Sequence, residues 1–368
     1  MPKTILAVAL VLSVAVLPTS LAAQVTSLNP ADVGNASLAA GGEVVSEISK
    51  NVFIVFQGRK GIYWFGSDGD GVYRYDGKAI VHFTMKDGLS HGRVRDIQED
   101  KSGNILVATL DGIDRFDGQK FVNLTAEDSN APDGGWRLEP DDLWFSSLYG
   151  KRGHNGPYRY DGKTLFRLKL PKHRLEDEFT ARNPNPVSSP YEVYDIYRDR
   201  RGHIWTGTLI FGACRYDGQS WGWLHEKHLT EVAGGGTFGV RSILEDKEGA
   251  FWFCNTRYRF KVSPKVRGDG QIDYKRATGI DFRTPAGGDM IYFMSAIEDD
   301  GGNLWMATYD EGVWRYDGQT MTRFSVKDGD KDVRLFSMTR DNHGILWLGT
   351  PESGAYKFNG KAFEKFRP

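Results

Sequence analysis

Eleven residues carry what chemistry this 368-residue chain offers outside its repeats: Arg93, Arg95, Asp96, Tyr149, Arg152, His154, Tyr191, Asp195, Arg241, Tyr309 and Arg334. Aromatic side chains beside Arg and Asp suit a sugar ring, whose apolar faces stack while its hydroxyls bond in pairs. The same Arg and Asp residues could instead pair with one another as structural ion pairs. A second set of arginines is different in kind. Arg74, Arg115, Arg159, Arg215 and Arg315 each stand two residues before Asp-Gly, and Arg259 holds the same place in a degenerate copy. A group present in every copy serves the copy first, so these arginines read as braces between neighbouring units.

Other chemistries find weaker footing. Asp68-Gly69-Asp70-Gly71 and Asp328-Gly329-Asp330-Lys331-Asp332 look calcium-like, yet neither completes the loop with its terminal Glu, so both read as acidic turns. His225-Glu226-Lys227-His228 lacks the spacing that puts two imidazoles on one helix face, so it reads as a solvated loop. There is no Gly-x-Ser-x-Gly elbow and no phosphate-cradling loop. Cys214 and Cys254 are too few for a disulfide scaffold and read as buried thiols. No catalytic set, metal site or cofactor is expected. A net charge of −1 also argues against a nucleic-acid surface.

The elements that must position these groups are announced by repetition. Gly66 and Ser67 follow Trp64, and Arg74-Tyr75-Asp76-Gly77 comes next; related text returns around Leu106, Trp144, Trp205, Trp252, Trp305 and Trp347. The steps between these anchors are 42, 38, 61, 47, 53 and 42 residues, the period of propeller blades or helical arrays. Trp, Tyr, Phe, Val and Ile between Gly and Asp-Gly punctuation select strands. Each copy reads as an inner strand, an Asp-x-x-Gly turn, the Trp strand, the Arg-Tyr strand, an Asp-Gly hairpin and a short outer strand. The Trp strand is apolar on both faces, so both must be covered, and blades stacked around an axis do this. The residue two past each anchor stays small (Gly66, Ala108, Ser146, Gly207, Cys254, Ala307, Gly349), leaving room for the next blade. The expectation is an all-β protein, a seven-bladed β-propeller of four-stranded antiparallel blades.

The run Asp-x-x-Gly-x-x-Trp-x-Gly-Thr followed by Gly-Val-x-Arg-Tyr-Asp-Gly closely resembles the two-component regulator propeller repeat, and Asp87-Gly88-Leu89-Ser90 is similar to that family's motif ahead of an inner strand. The resemblance covers about residues 51–367. It implies the extracytoplasmic sensor part of hybrid two-component systems, with carbohydrate sensing the best-known role. The chain reaches Pro368 directly after the seventh copy, without a coupling domain, membrane helix or kinase, so it is expected not to signal alone. Streptogramin-lyase-like propellers offer a precedent for an enzyme by fold only, since their repeat punctuation differs.

Lys3, the apolar run from Ile5 to Leu17, Pro18 and Ser20-Leu21-Ala22-Ala23 read as a signal peptide over 1–23, cleaved near Ala22 or Ala23, giving a periplasmic or secreted protein with no membrane span. Residues 24–50 are either a flexible leader, the favoured reading, or a strand closing the ring; residues 51–368 are the propeller. Insertions point to one face. Trp144 to Arg159 spans 15 residues where three other copies use 10, and Gly162 to Gly202 spans 40 where two others use 26. A further excess runs through Thr284-Pro285-Ala286-Gly287-Gly288. Insertions confined to one face of a repeat protein often mark its binding surface. The expected partner is a small-molecule or glycan ligand, or an envelope protein. A lyase or hydrolase using His154 with Tyr149 or Tyr309, and an assembly scaffold, are the alternatives.

Overall fold

Seven sheets of four or five strands follow one another along the chain, each taking its main strands from one sequence copy, and a two-stranded ribbon, Lys327–Asp328 with Lys331–Asp332, stands between the sixth and seventh. The computed structural model describes residues 41–128, 135–146, 156–231, 237–279 and 293–368. Blade two shows the pattern: Val94–Glu99, Ile105–Thr109, Gly112–Phe116 and Phe121–Leu124 pair in sequence order, every pair antiparallel. Blade four repeats it with Val193–Arg198, Ile204–Thr208, Ala213–Tyr216 and Trp221–Leu224. Blades five, six and seven begin at Ile243–Glu245, Phe293–Glu298 and Ser337–Arg340. The protein is thus a seven-bladed propeller.

The Asp-x-x-Gly turn explains the repeat at atomic scale. In blade five, Asp246 Oδ1 accepts the N–H groups of Glu248 and Ala250 at 2.9 and 3.0 Å. Its Oδ2 accepts the indole N–H of Trp252 at 2.8 Å. Asp199 with Trp205, Asp299 with Trp305 and Asp341 with Trp347 repeat the indole bond at 3.0, 2.8 and 2.9 Å. One carboxylate therefore shapes the turn and anchors the largest core side chain. Burial alone would raise Asp299 and Asp341, but the indole and neighbouring donors hold both below the usual carboxylate range. The repeated Arg lies over the same indole: Arg215 over Trp205, Arg259 over Trp252 and Arg315 over Trp305, at 5.8, 6.0 and 5.6 Å. In these three blades the brace expected between blades is thus first a brace within the blade. Arg215 also crosses, donating to the carbonyls of Ser263 and Pro264 in blade five at 3.1 and 2.7 Å.

Blades touch where the Trp strand carries a small residue. A Cβ added at Gly66 would stand 2.5 Å from Val94 Cγ1 of blade two, and one at Gly207 2.3 Å from the Val240 carbonyl. Among the described residues the ring closes from blade seven to blade one without exchanging a strand. Val52 N–H donates to the Thr350 carbonyl at 2.8 Å, Ser337 Oγ to Phe53 O at 2.6 Å and Thr339 Oγ1 to Val55 O at 2.8 Å. Glu43–Val45, within the segment favoured as a leader, forms a strand on Ile80–Phe83, the outer strand of blade one. It extends that blade's rim rather than closing the ring.

Blade three departs from the pattern. Its order runs from Ala126–Asp128 through Leu165–Arg167 and Tyr158–Tyr160 to Leu143–Phe145, so among the described residues the Trp strand itself is the innermost. Ala126–Asp128 adds a parallel strand at the rim. The sequence ahead of Trp144 carries Leu138-Glu139-Pro140-Asp141 in place of Asp-x-x-Gly, and Pro140 lacks the N–H such a turn uses. Cys214 and Cys254 are buried free thiols, and burial pushes Cys254 up to about 12. His225 is half-buried rather than solvated, its Nδ1 3.2 Å from the Phe211 carbonyl and its ring 5.1 Å from that of buried His173; a short helix, Lys227–Thr230, follows it.

Candidate functional site at the channel end of the inner strands

Inner strands begin on the face that also carries the turns between second and third strands, and most of the described candidate residues stand at those beginnings, with Tyr309 on one of the turns. The pairing register slips between Val94 and Asp96 and between Val193 and Asp195, as it does in blades one and six. This shared irregularity puts Ile54, Asp96, Asp195 and Ser295 opposite Gly66, Ala108, Gly207 and Ala307. The position is polar in most blades and stitches one blade to the next. Asp195 Oδ2 accepts Ile243 N–H at 2.7 Å, Ser242 Oγ accepts Ala296 N–H at 3.1 Å, and Ser295 Oγ donates to Met338 O at 3.1 Å. In blade two, Gln98 donates to Asp96 at 2.6 Å and to the Trp144 carbonyl at 2.7 Å.

Both carboxylates keep some contact with solvent, yet the surrounding ring removes most of their hydration. Burial pushes Asp96 up to about 6, against the opposing bonds from Gln98 and Ile97. Burial pushes Asp195 up to about 7, with the charge of Asp96 adding to the shift. Asp96 and Asp195 therefore feel one another and titrate near neutrality. Groups of this kind can bind hydroxyls in either protonation state.

Arg95 is a structural residue. Its guanidinium is buried, 2.8 Å from Asp68 Oδ1 and 4.6 Å above the Phe53 ring. Arg93, on the same blade, is exposed, with Nε 3.8 Å from Asp68. Asp70 accepts from Ser49 Oγ at 2.6 Å, so this acidic turn holds its neighbours together. Arg241 is clasped between two rings, 4.5 Å from Tyr194 and 4.6 Å from Phe238, and its Nε donates to the Phe238 carbonyl at 3.0 Å. Arg334 reaches the Tyr309 hydroxyl at 3.2 Å and Glu352 at 3.1 Å, and Tyr309 stays 39% exposed. These residues give the face flat apolar surface beside fixed charge.

The family model described as "Two component regulator propeller" matches residues 188–209, the approach to blade four and its first two strands. The chain carries the two-component regulator propeller repeat. Among solved structures it is similar to the extracellular domain of a hybrid two-component system from B. thetaiotaomicron, at 22% identity and TM-score 0.54, covering 86% of this chain and 39% of that one. It is similar to streptogramin B lyase at 13% identity and TM-score 0.53, covering 88% and 97%. It is also similar to PorZ, a surface component of the type-IX secretion system of Porphyromonas gingivalis, at 15% identity and TM-score 0.55, covering 85% and 47%. The chain thus spans about two fifths of the hybrid-system domain it matches. At these identities the likeness is one of fold. A search of curated proteins gave no significant match.

Within the repeat, the expected rim needs one correction. Tyr191 is 4% exposed and belongs to the core, packed on Phe211 and Trp223. Its hydroxyl accepts the His173 amide at 2.8 Å and donates to Glu176 at 2.5 Å. The long insertion between Gly162 and Gly202 folds inward over blade four and buries it. Tyr149, Arg152 and His154 lie outside the described residues. Sequence reading missed Tyr194, Phe238, Asp68 and Glu352, the partners that fix Arg241, Arg95 and Arg334. Tyr194 stands beside Asp195 and Phe238 three residues before Arg241, a local signal; Asp68 lies in the copy before Arg95, and Glu352 lies across blade seven from Arg334, so neither pairing leaves one.

Proposed function

We propose that this chain is an exported, non-catalytic recognition propeller that binds a glycan-like ligand on the face where the inner strands begin. The observation that carries this is the exposed Tyr309 held beside Arg334, with the Tyr194, Arg241 and Phe238 stack on the same face. A fixed aromatic surface costs little ordering entropy on binding, and charged groups already oriented by partners bond hydroxyls strongly. The sequence of residues 1–23 supports export, and among the described residues no helix is long and apolar enough to cross a membrane. Tyr149, Arg152 and His154 are assigned to the same rim from their place in the longest turn between second and third strands.

A thermal-shift screen of the purified chain against neutral oligosaccharides, with and without calcium, tests the proposal. A binder present at about 100 times its Kd raises stability by about 2.7 kcal/mol. The rise should shrink in Tyr309→Ala and Arg334→Ala. A screen without any shift counts against a ligand site.

Asp96 and Asp195 titrating near neutrality favour a second reading, a lyase or hydrolase drawing on this acid–base pair. Turnover of the stabilising compound, lost in Asp195→Asn or His154→Ala, would select it. Absence of small-molecule binding together with capture of an envelope protein would select a scaffold.

A further inference from the structure

The geometry points to a carboxylate-binding cleft on the opposite face of the ring, between blades one and two, where Gly58 stands at the place of the repeat's turn aspartate. In blades four to seven that aspartate holds the N–H groups two and four residues on and the indole six residues on, as Asp246 does for Glu248, Ala250 and Trp252. Blade one reads Gly58-Arg59-Lys60-Gly61-Ile62-Tyr63-Trp64, so the matching donors are the Lys60 and Ile62 amides and Trp64 Nε1. Among the described residues none of the three has a hydrogen-bond acceptor. Trp64 is 3% exposed, yet its indole N–H is not sealed in the core and opens at the cleft wall, where a ligand oxygen can replace water as its acceptor.

These groups border a cleft of about 390 Å³, whose lining includes Gly58, Lys60, Ile62, Trp64 and Arg74. Ile105 and Phe116 supply an apolar wall from blade two. Arg74 Nε is buried without a partner, and the nearest carboxylate, Asp76, is 4.0 Å from its guanidinium. In blade five, Asp246 Oδ2 holds the equivalent Arg259 Nε at 2.9 Å together with the indole. Arg315 also keeps an Nε without a partner beside an intact aspartate, so the indole and the two amides carry the recognition and Arg74 adds charge. Glu99 borders the cleft, but its charge is taken up by Arg59, through the amide at 2.6 Å and Nε at 3.2 Å. Blade five tolerates the same neighbour, because Asp246 sits beside Glu298, which accepts Lys247 N–H at 3.1 Å. The ligand class is a small organic monocarboxylate: its oxygens take the donors that aspartate takes elsewhere, and its body lies along Ile105 and Phe116.

The site can be closed by restoring the repeat. Gly58 is not one of the positive-φ glycines, and a Cβ there meets only Glu99 Oε2 at 3.2 Å within 3.4 Å. Gly58→Asp should therefore fold, gain thermal stability and bind nothing at this place. The probes are sodium acetate and sodium benzoate, read by calorimetry and thermal shift at constant ionic strength, with benzamide as the uncharged control. Saturable binding of benzoate over benzamide is expected in the natural chain, lost in Gly58→Asp. Trp64→Phe, which keeps the ring and removes the N–H, should weaken binding about 10-fold. Equal responses to benzoate and benzamide, unchanged binding in both variants, or no saturable binding would each overturn the assignment.

Discussion

Asp246 makes four bonds with one carboxylate, two to turn amides, one to the Trp252 indole and one to Arg259. Asp246→Ala leaves those donors without an acceptor, and we expect a loss of about 3 kcal/mol in urea denaturation. Asp100→Ala should cost less, because blade two has Leu106 in place of the indole and Asn104 alone joins the amides. Asp195 behaves differently. Its folded-state pKa, about 7, lies above the unfolded carboxylate value, so the native chain holds the extra proton between about pH 4 and 7. Stability from this group is therefore full below that window and falls as pH rises through it. Asp195→Asn keeps an acceptor for Ile243 N–H and should flatten this limb of a Tm-against-pH curve. Buried His173 works in the opposite direction: burial, helped by His225 and Arg174, lowers it to about 3, so its contribution falls as pH drops below the ordinary imidazole value. Comparing wild type with Asp195→Asn separates the two. The turn role of the repeated Asp and the core role of the repeated Trp were legible in the sequence because most copies print them again. The partner of Arg95 was not, because a pair between copies follows no spacing, and Glu352 meets Arg334 only once the strands of blade seven are paired.

At the scale of strands, the blade interface is set by what the Trp strand omits. A Cβ at Gly207 would meet the Val240 carbonyl at 2.3 Å, and a backbone group in the next blade cannot swing aside. Gly207→Ala should cost about 2 kcal/mol or more, read as a fall in Tm, since overpacking forces the two blades apart. Gly77→Ala makes a useful contrast: nothing lies within 4 Å, but its φ of 90° strains any side chain. The small-residue pattern was readable from the sequence alone. The fate of blade three was not. Its Trp strand is the innermost described strand of that sheet, and Gln98 of blade two reaches its carbonyl directly. The insertion after Gly162 was read as part of the binding rim, and it also supplies Glu176–Arg182, a helix whose Glu176 fixes Tyr191. Apolar residues within an insertion, here Leu168, Leu170 and Phe179, are the trace that such a segment packs back on its own blade.

The ring is held by contacts in which, among the described residues, blades one and seven exchange no strand. Blade seven grips blade one through Ser337 and Thr339 on the inner strand and through Asp341, which accepts from Tyr63 at 2.8 Å. The double variant Ser337→Ala, Thr339→Val removes two of these bonds and leaves two carbonyls of blade one unmatched. About 2 kcal/mol of global stability should go with them, in one cooperative transition, because opening one seam exposes both flanking sheets. A separate early transition confined to blade one would contradict this account of closure.

The number of blades, the strands in most of them, the Asp-x-x-Gly turns and the core place of the repeated Trp all follow from the amino-acid sequence. The reason is that every copy must satisfy the same local donors and acceptors, so a pattern repeated along the chain reports them directly. What lies between copies was decided only by the tertiary structure: the stack around Arg241, the ion pair of Arg95 with Asp68, the burial of Tyr191 and the cleft beside Gly58. Each depends on how two neighbouring sheets are turned and spaced, which no periodicity within either of them records.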